Sequence, residues 1–163
     1  MNYFGYMPND FINGEGVCVS LWTAGCPHHC PGCHNSQMWD EKNGVLIPSD
    51  IRGKIIKAIS QNGIQRNLSI LGGEPLSYYN VNFVEEIVQA IRVAYPNIKI
   101  FIWTGYTLEE LKYRIDQGED QLRHILSNID VLIDGRYIEK ERDITLPLRG
   151  SKNQRVLRKN IDF

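Results

Sequence analysis

The sequence predicts an α/β fold on a mainly parallel sheet, and three observations carry that prediction. Short apolar runs with strand character alternate with segments whose apolar residues recur at helical spacing. Strand–helix–strand order of this kind implies right-handed crossovers between parallel neighbours. Length is the third observation. At 163 residues the chain has room for one domain, residues 1–163, with a sizeable core, but it is short of the roughly 250 residues of a complete eight-unit barrel.

The first strand is read over 17–22, where Val17, Val19 and Leu21 share one face. Pro48, Ser49 and Asp50 introduce a helix with Ile51, Ile55, Ile56 and Ile59 on its apolar side, ending near Asn62 and Gly63. Residues 67–71 form the next strand, broken by Gly72, Gly73, Glu74 and Pro75. A second helix covers 81–94, closed by Pro96, and a third strand covers 98–103. Thr107 with Glu110 is a capping-box pattern that opens a third helix reaching about Asp116, and 121–126 is a short fourth. The fourth strand, 129–133, stops at Asp134 and Gly135. Beyond Gly135 the pattern weakens, leaving 155–158 as a last short strand. No internal repeat, linker or low-complexity segment interrupts the order.

Composition narrows the function classes. Hydrophobic residues are 42% and charged residues 23% of the chain, ordinary globular usage. Mean hydropathy is −0.31, and no apolar stretch is long enough to cross a bilayer, so no membrane association is expected. The first residues lack the basic and apolar regions of a secretory signal, which points to the cytoplasm. The four cysteines are then expected as thiolate ligands or free thiols, not disulfides. A net charge of −1 argues against a nucleic-acid partner. The charge is uneven, however. Residues 136–160 carry eight bases and three acids, net +5, leaving ten against sixteen, net −6, elsewhere. That basic stretch is expected to contribute a docking surface.

Four polar or glycine-rich clusters follow predicted strands: the cysteine loop, residues 72–75, residues 104–107, and Asp134 with Gly135. In parallel α/β folds ligand sites gather at the carboxyl ends of the strands, so these clusters are expected to meet. The cysteine loop is Cys26-x3-Cys30-x2-Cys33. Three thiolates can each hold one iron of a cubane cluster, with one iron left open to a ligand that is not protein. Taken alone, the spacing also suits a zinc site with His28, His29 or His34 as fourth ligand. Against zinc stand the lack of a second ligand pair farther along the chain and the glycine-rich ends of three other strands. His28 and His29 read as solvent-facing or outer-shell residues, and Cys18 as a buried free thiol.

Cys26-x3-Cys30-x2-Cys33, followed after one helix by a strand ending in Gly72-Gly73-Glu74-Pro75, resembles the radical S-adenosylmethionine superfamily. Within it, Asp10 to Val17, Pro31-Gly32-Cys33, Trp103 to Thr107, Asp134-Gly135 and Arg149 to Arg155 look like the family that activates anaerobic ribonucleoside-triphosphate reductase. The likeness covers nearly the whole chain, with the motifs in family order. It implies a reduced, open (βα) partial barrel of about five or six units. It implies a [4Fe-4S] cluster on Cys26, Cys30 and Cys33, with S-adenosylmethionine (SAM) chelating the fourth iron and being cleaved to methionine and a 5'-deoxyadenosyl radical. By the same resemblance Gly32, Cys33 and His34 lie against the cofactor; most superfamily members have an aromatic residue where this chain has Gly32, leaving backbone atoms for the adenine. Gly72 and Gly73 would receive the methionyl ammonium through backbone carbonyls, with the Glu74 carboxylate as a second candidate. Thr104 and Asp134 are candidates for ribose or carboxylate contacts, against a reading in which Thr104 ends a strand and Asp134 sits in a turn. The implied partners are the large reductase subunit, which receives a glycyl radical, and an electron donor such as flavodoxin or ferredoxin. Alternatives are an activase of the pyruvate formate-lyase type, which generally lacks the 149–155 arrangement, and a non-enzymatic zinc or iron–sulfur module.

Overall fold

The computed structural model describes all residues 1–163. In chain order the elements are β1 (Asn2–Asp10), β2 (Cys18–Thr23), β3 (Val45–Leu46), α1 (Ile51–Ile59), β4 (Asn67–Gly72), α2 (Val81–Ala94), β5 (Ile100–Trp103), α3 (Leu108–Asp116), α4 (Asp120–Asn128), β6 (Val131–Asp134) and β7 (Arg155–Arg158). They form one seven-stranded sheet in the order β3-β1-β2-β4-β5-β6-β7. The four central strands are parallel. β1 and β7 flank them antiparallel, and β3 pairs antiparallel with β1, so five of the seven strands run one way. The sheet is open, with β3 and β7 as its edges.

The predicted elements fall close to the observed ones. Val81, Val84, Ile87, Val88 and Ile91 make the buried stripe of α2, the spacing that marks a helix with one face on a core. Thr107 caps α3 through its side chain to the Glu110 amide, and Glu110 returns a bond to the Thr107 amide, which satisfies two of the helix's orphan donors. Two strands were not expected. β1 contains Gly5 and Pro8, and its register slips between Tyr3 and Gly5 and again between Met7 and Asp10. Glycine and a residue without an amide donor are tolerated there because the pairing is irregular. The count of five or six βα-like units is also corrected: four parallel strands are joined by three helical crossovers, and the remaining strands are antiparallel additions.

Strand alternation assigns the two faces of the sheet. Val19, Leu21, Leu68, Ile70, Ile100, Ile102 and Leu132 pack with the buried faces of all four helices in one cluster of 26 residues. Phe101, Val131 and Ile133 point the other way and pack with Trp103, Leu148 and Val156. This second face carries no helix. Residues 11–17 and 143–150 cover it instead: Ser69 Oγ donates to the Asn13 carbonyl at 2.6 Å, and Trp103 Nε1 donates to the Leu148 carbonyl at 2.7 Å. Asp10, buried at the end of β1, accepts from Ser20 Oγ and from the Ile12 and Asn13 amides and so fixes the start of the first segment.

The basic carboxyl-terminal stretch is largely engaged within the chain. Arg136 pairs with Glu110 at 3.1 Å, Arg158 with Glu15, and Arg155 with both Asp134 and Glu109. Lys159 donates to the Leu126 carbonyl at 3.0 Å. Charge reversal at Arg155 or Arg158 therefore perturbs internal pairs before it perturbs any docking surface. The Arg155 hydrogen bonds hold the Glu109 carboxyl down at about 2, from an ordinary 4.5. Because the folded-state value is lowered, the pair favours folding above the ordinary carboxylate range and is lost as pH falls towards about 2. Carbon-detected NMR titration is expected to place Glu109 near that value in the parent and back in the ordinary range in Arg155→Met.

Candidate functional site

The cysteine loop leaves the carboxyl end of β2 and is stitched at once to the end of β4. The Gly73 amide donates to the Thr23 carbonyl at 2.9 Å, and the Glu74 amide to the Gly25 carbonyl at 2.7 Å. Both glycines at this seam are required. Gly72 has φ +113° and a Cβ there would lie 2.6 Å from the Thr23 backbone, while a Cβ on Gly73 would enter the Gly25 carbonyl. The loop's return leg closes it, since the Gly25 and Cys26 amides donate to the Met38 and Trp39 carbonyls at 2.7 and 2.9 Å. His29 stacks on Trp39 at 4.7 Å between ring centroids. Cys26, Cys30 and Cys33 thus sit on one closed loop beside the backbone of residues 72–74, as the clustering at strand ends led us to expect.

Glu74 is the hub that ties three loops together. Its Oε1 accepts from the Leu76 amide at 2.9 Å and from Thr104 Oγ1 at 2.7 Å. Its Oε2 accepts from the Gly105 amide at 2.7 Å and lies 2.8 Å from His28 Nε2, which donates as the Nε2–H tautomer. Four contacts use both lone pairs of both oxygens. The carboxylate is 1% exposed, so Glu74 works from within the wall. His28, read from sequence as solvent-facing or outer-shell, is buried at the side chain, stacks edge-on to Tyr106 at 4.5 Å, and leaves no room for a Cβ on Gly105. Asn80 completes the seam by donating to the Ala24 and Glu74 carbonyls.

Thr104 and Asp134 are brought to the same end of the sheet, where the Asp134 side chain turns towards α3 while Thr104 lines the cavity beside the cysteine loop. By strand alternation Asp134 shares parity with Leu132. The Thr104 hydroxyl accepts from the Tyr106 amide at 3.1 Å besides donating to Glu74. Asp134 accepts from the Leu108 amide at the start of α3 and from Arg155 Nε, at 2.7 and 2.9 Å. Both carboxylate oxygens of Asp134 are thereby taken inside the fold. Cys30, Cys33, Leu71, Gly72, Gly73, Trp103, Thr104, Gly105, Gly135 and Tyr137 surround a cavity of about 150 Å³. A second, of about 450 Å³, adjoins it over Cys33, His34, Leu71, Trp103 and Tyr137 and runs out to Ile12 and Ile144.

The donor set fits an iron–sulfur cluster. The Asn35 amide donates to Cys33 Sγ at 3.4 Å, the His28 and His29 amides face Cys26, and the Tyr137 amide faces Cys30. Burial pushes the Cys26 thiol up to about 11 against those amides; a thiol so placed becomes a thiolate when iron supplies the countercharge. No three His, Cys, Asp or Glu side chains converge on one point as a single metal ion requires. A cubane makes no such demand, because each thiolate takes a different iron. His28 and His29, two of the three candidates for a fourth zinc ligand, are engaged with Glu74 and Trp39. Cys18 lies apart, fully buried on β2 with its Sγ on the Glu15 carbonyl at 3.6 Å.

An open sheet with one cysteine-rich loop at its strand ends defines a protein of the single-cluster iron–sulfur class, and residues 12–157 match the family model of the 4Fe-4S single cluster domain. Three relatives narrow the class. The anaerobic ribonucleoside-triphosphate reductase-activating protein of Haemophilus influenzae is 40% identical over 97% of this chain and 98% of its own. Those of Escherichia coli K12 and Enterobacteria phage T4 are 37% and 36% identical over 96% of this chain, covering 97% and 93% of their own lengths. The chain belongs to the family of anaerobic ribonucleoside-triphosphate reductase-activating proteins.

Proposed function

We propose that residues 1–163 form one radical SAM domain, an open partial (βα) barrel, that acts as an activase of the anaerobic ribonucleoside-triphosphate reductase. Cys26, Cys30 and Cys33 would hold a [4Fe-4S] cluster, and the iron without a cysteine would take the amino and carboxylate groups of SAM. When bound, the reduced cluster supplies the electron that breaks the carbon–sulfur bond of SAM, and the reaction ends in a glycyl radical on the large reductase subunit. The chain's own residues bind, orient and exclude. The backbone carbonyls of Gly72 and Gly73 would receive the methionyl ammonium, on an edge that the two glycines let lie against the Thr23 and Gly25 backbone. Gly32, Cys33, His34 and Thr104 would border the same space, while Glu74 and Asp134 hold its walls from behind. The helix-free face gives a peptide segment access to the site.

The observation that carries this reading is the backbone seam between Thr23–Gly25 and Gly73–Glu74, which sets the cysteine loop beside the glycine edge. The names of the relatives supply the partner, and flavodoxin or ferredoxin is the class of donor proposed. No helix is long and apolar enough to cross a membrane, in keeping with a cytoplasmic site of action. The test is anaerobic reconstitution with iron and sulfide, then dithionite and SAM. Formation of 5'-deoxyadenosine, with a glycyl radical seen by electron paramagnetic resonance on added reductase, is the expected result. Stoichiometric zinc with no 5'-deoxyadenosine would leave only a binding module, and a radical on a pyruvate formate-lyase but not on the reductase would reassign the partner.

A further inference from the structure

Position 32 cannot supply a side chain to a nucleobase lying beside Cys33. Gly32 has φ +79°, and a Cβ there would come 2.7 Å from the Glu139 carboxylate. The two adjoining cavities that reach Cys33 nevertheless share an aromatic wall formed by Trp103 and Tyr137. Trp103 belongs to the sheet: its ring stacks on Phe101 at 6.2 Å and its Nε1 is committed to Leu148.

Tyr137 is held differently. Its backbone amide faces the Cys30 thiol. On one side of it Asn153 Nδ2 donates to the Arg136 carbonyl at 2.7 Å, and on the other the Ile138 amide donates to Ser151 Oγ at 3.2 Å. Gly150 packs so close that a Cβ there would stand 3.4 Å from the ring. The neighbouring His34 ring is 5.7 Å away and tilted by 49°. A half-buried aromatic ring is thus fixed beside a cluster ligand, with no aromatic partner lying parallel to it.

We propose that Tyr137 is the platform on which the purine of the bound nucleoside stacks, in the place that a side chain at position 32 would otherwise fill. This rests on the reading that SAM occupies the site. A purine has a broad polarisable face, and stacking on an aromatic ring is sequence-tolerant and strong enough to change affinity by roughly 5- to 100-fold. The phenol hydroxyl has no part in the contact, and the amide facing Cys30 is backbone, so substitution of the side chain leaves it in place.

The test is equilibrium binding to anaerobically reconstituted protein of three probes: SAM, 5'-methylthioadenosine, and methionine, which has the chelating groups but no base. Tyr137→Phe is expected to bind both nucleosides within about twofold of the parent, and Tyr137→Leu to lose roughly tenfold or more for both while keeping its affinity for methionine. If the leucine variant takes up no cluster, Tyr137→Met makes the same comparison. Equal nucleoside affinity in the aromatic and aliphatic variants, or a tenfold loss in Tyr137→Phe, would overturn the platform while leaving SAM binding intact. A parent that binds neither nucleoside would overturn the SAM reading itself, and the platform with it.

Discussion

Cys30→Ser is expected to abolish reductive cleavage of SAM and to leave reconstituted protein with substoichiometric iron and sulfide. The serine oxygen is a harder and far less acidic ligand than a thiol, so one iron loses its thiolate. The loss should exceed the roughly 10- to 100-fold that follows when merely a hydrogen-bonded partner of a metal ligand is removed. Cys18→Ser is the control. Cys18 is buried 12 residues earlier on β2 with its own partner at the Glu15 carbonyl, and that variant should take up cluster and form 5'-deoxyadenosine as the parent does. Cleavage at the parental rate in Cys30→Ser would remove the cluster assignment.

Glu74→Ala should be the most destabilising single change at the site. It strips the acceptor from the buried Leu76 amide, the Gly105 amide and the Thr104 hydroxyl, and frees His28. Buried donors left unpaired cost about 1–3 kcal/mol each, so the three together cost roughly 3–9 kcal/mol, a large part of the ~5–15 kcal/mol that holds a domain together. Urea unfolding should show a lower midpoint with unchanged slope. Glu74→Gln, which keeps one acceptor oxygen but turns an NH2 group towards the other donors, should fall between. A Glu74→Ala protein within about 1 kcal/mol of the parent would show that the three loops are held by their backbone seam alone.

What the sequence revealed tracks how local the cause is. The α2 boundaries follow from apolar spacing and Pro96, and the α3 start from Thr107 and Glu110, all within a few residues of one another. β1 has no such signal. Only Tyr3 and Asp10 of its nine residues are buried, Gly5 and Pro8 interrupt it, and its partner β2 dictates its conformation. β3, two exposed residues long, exists only because β1 is beside it. At the site, the cysteine spacing and Gly72–Gly73 were legible because each piece of chemistry sits in consecutive residues. The Glu74–His28 pair spans 46 positions and Arg155–Asp134 spans 21, and neither leaves a mark in the sequence between. One signal was there to be used: Asp134 has the parity of Leu132 on β6, so alternation alone points its side chain towards the helices.

The unequal coverage of the two sheet faces separates endurance from access. All four helices stand behind the sheet in one apolar cluster of 26 residues, whereas residues 11–17 and 143–150 lie across its front on a three-residue apolar cluster joined by Leu148 and on polar tethers such as Ser69 to Asn13 and Trp103 to Leu148. Local opening energies follow buried contact, so hydrogen exchange is expected to be faster in the covering segments than in the helices behind.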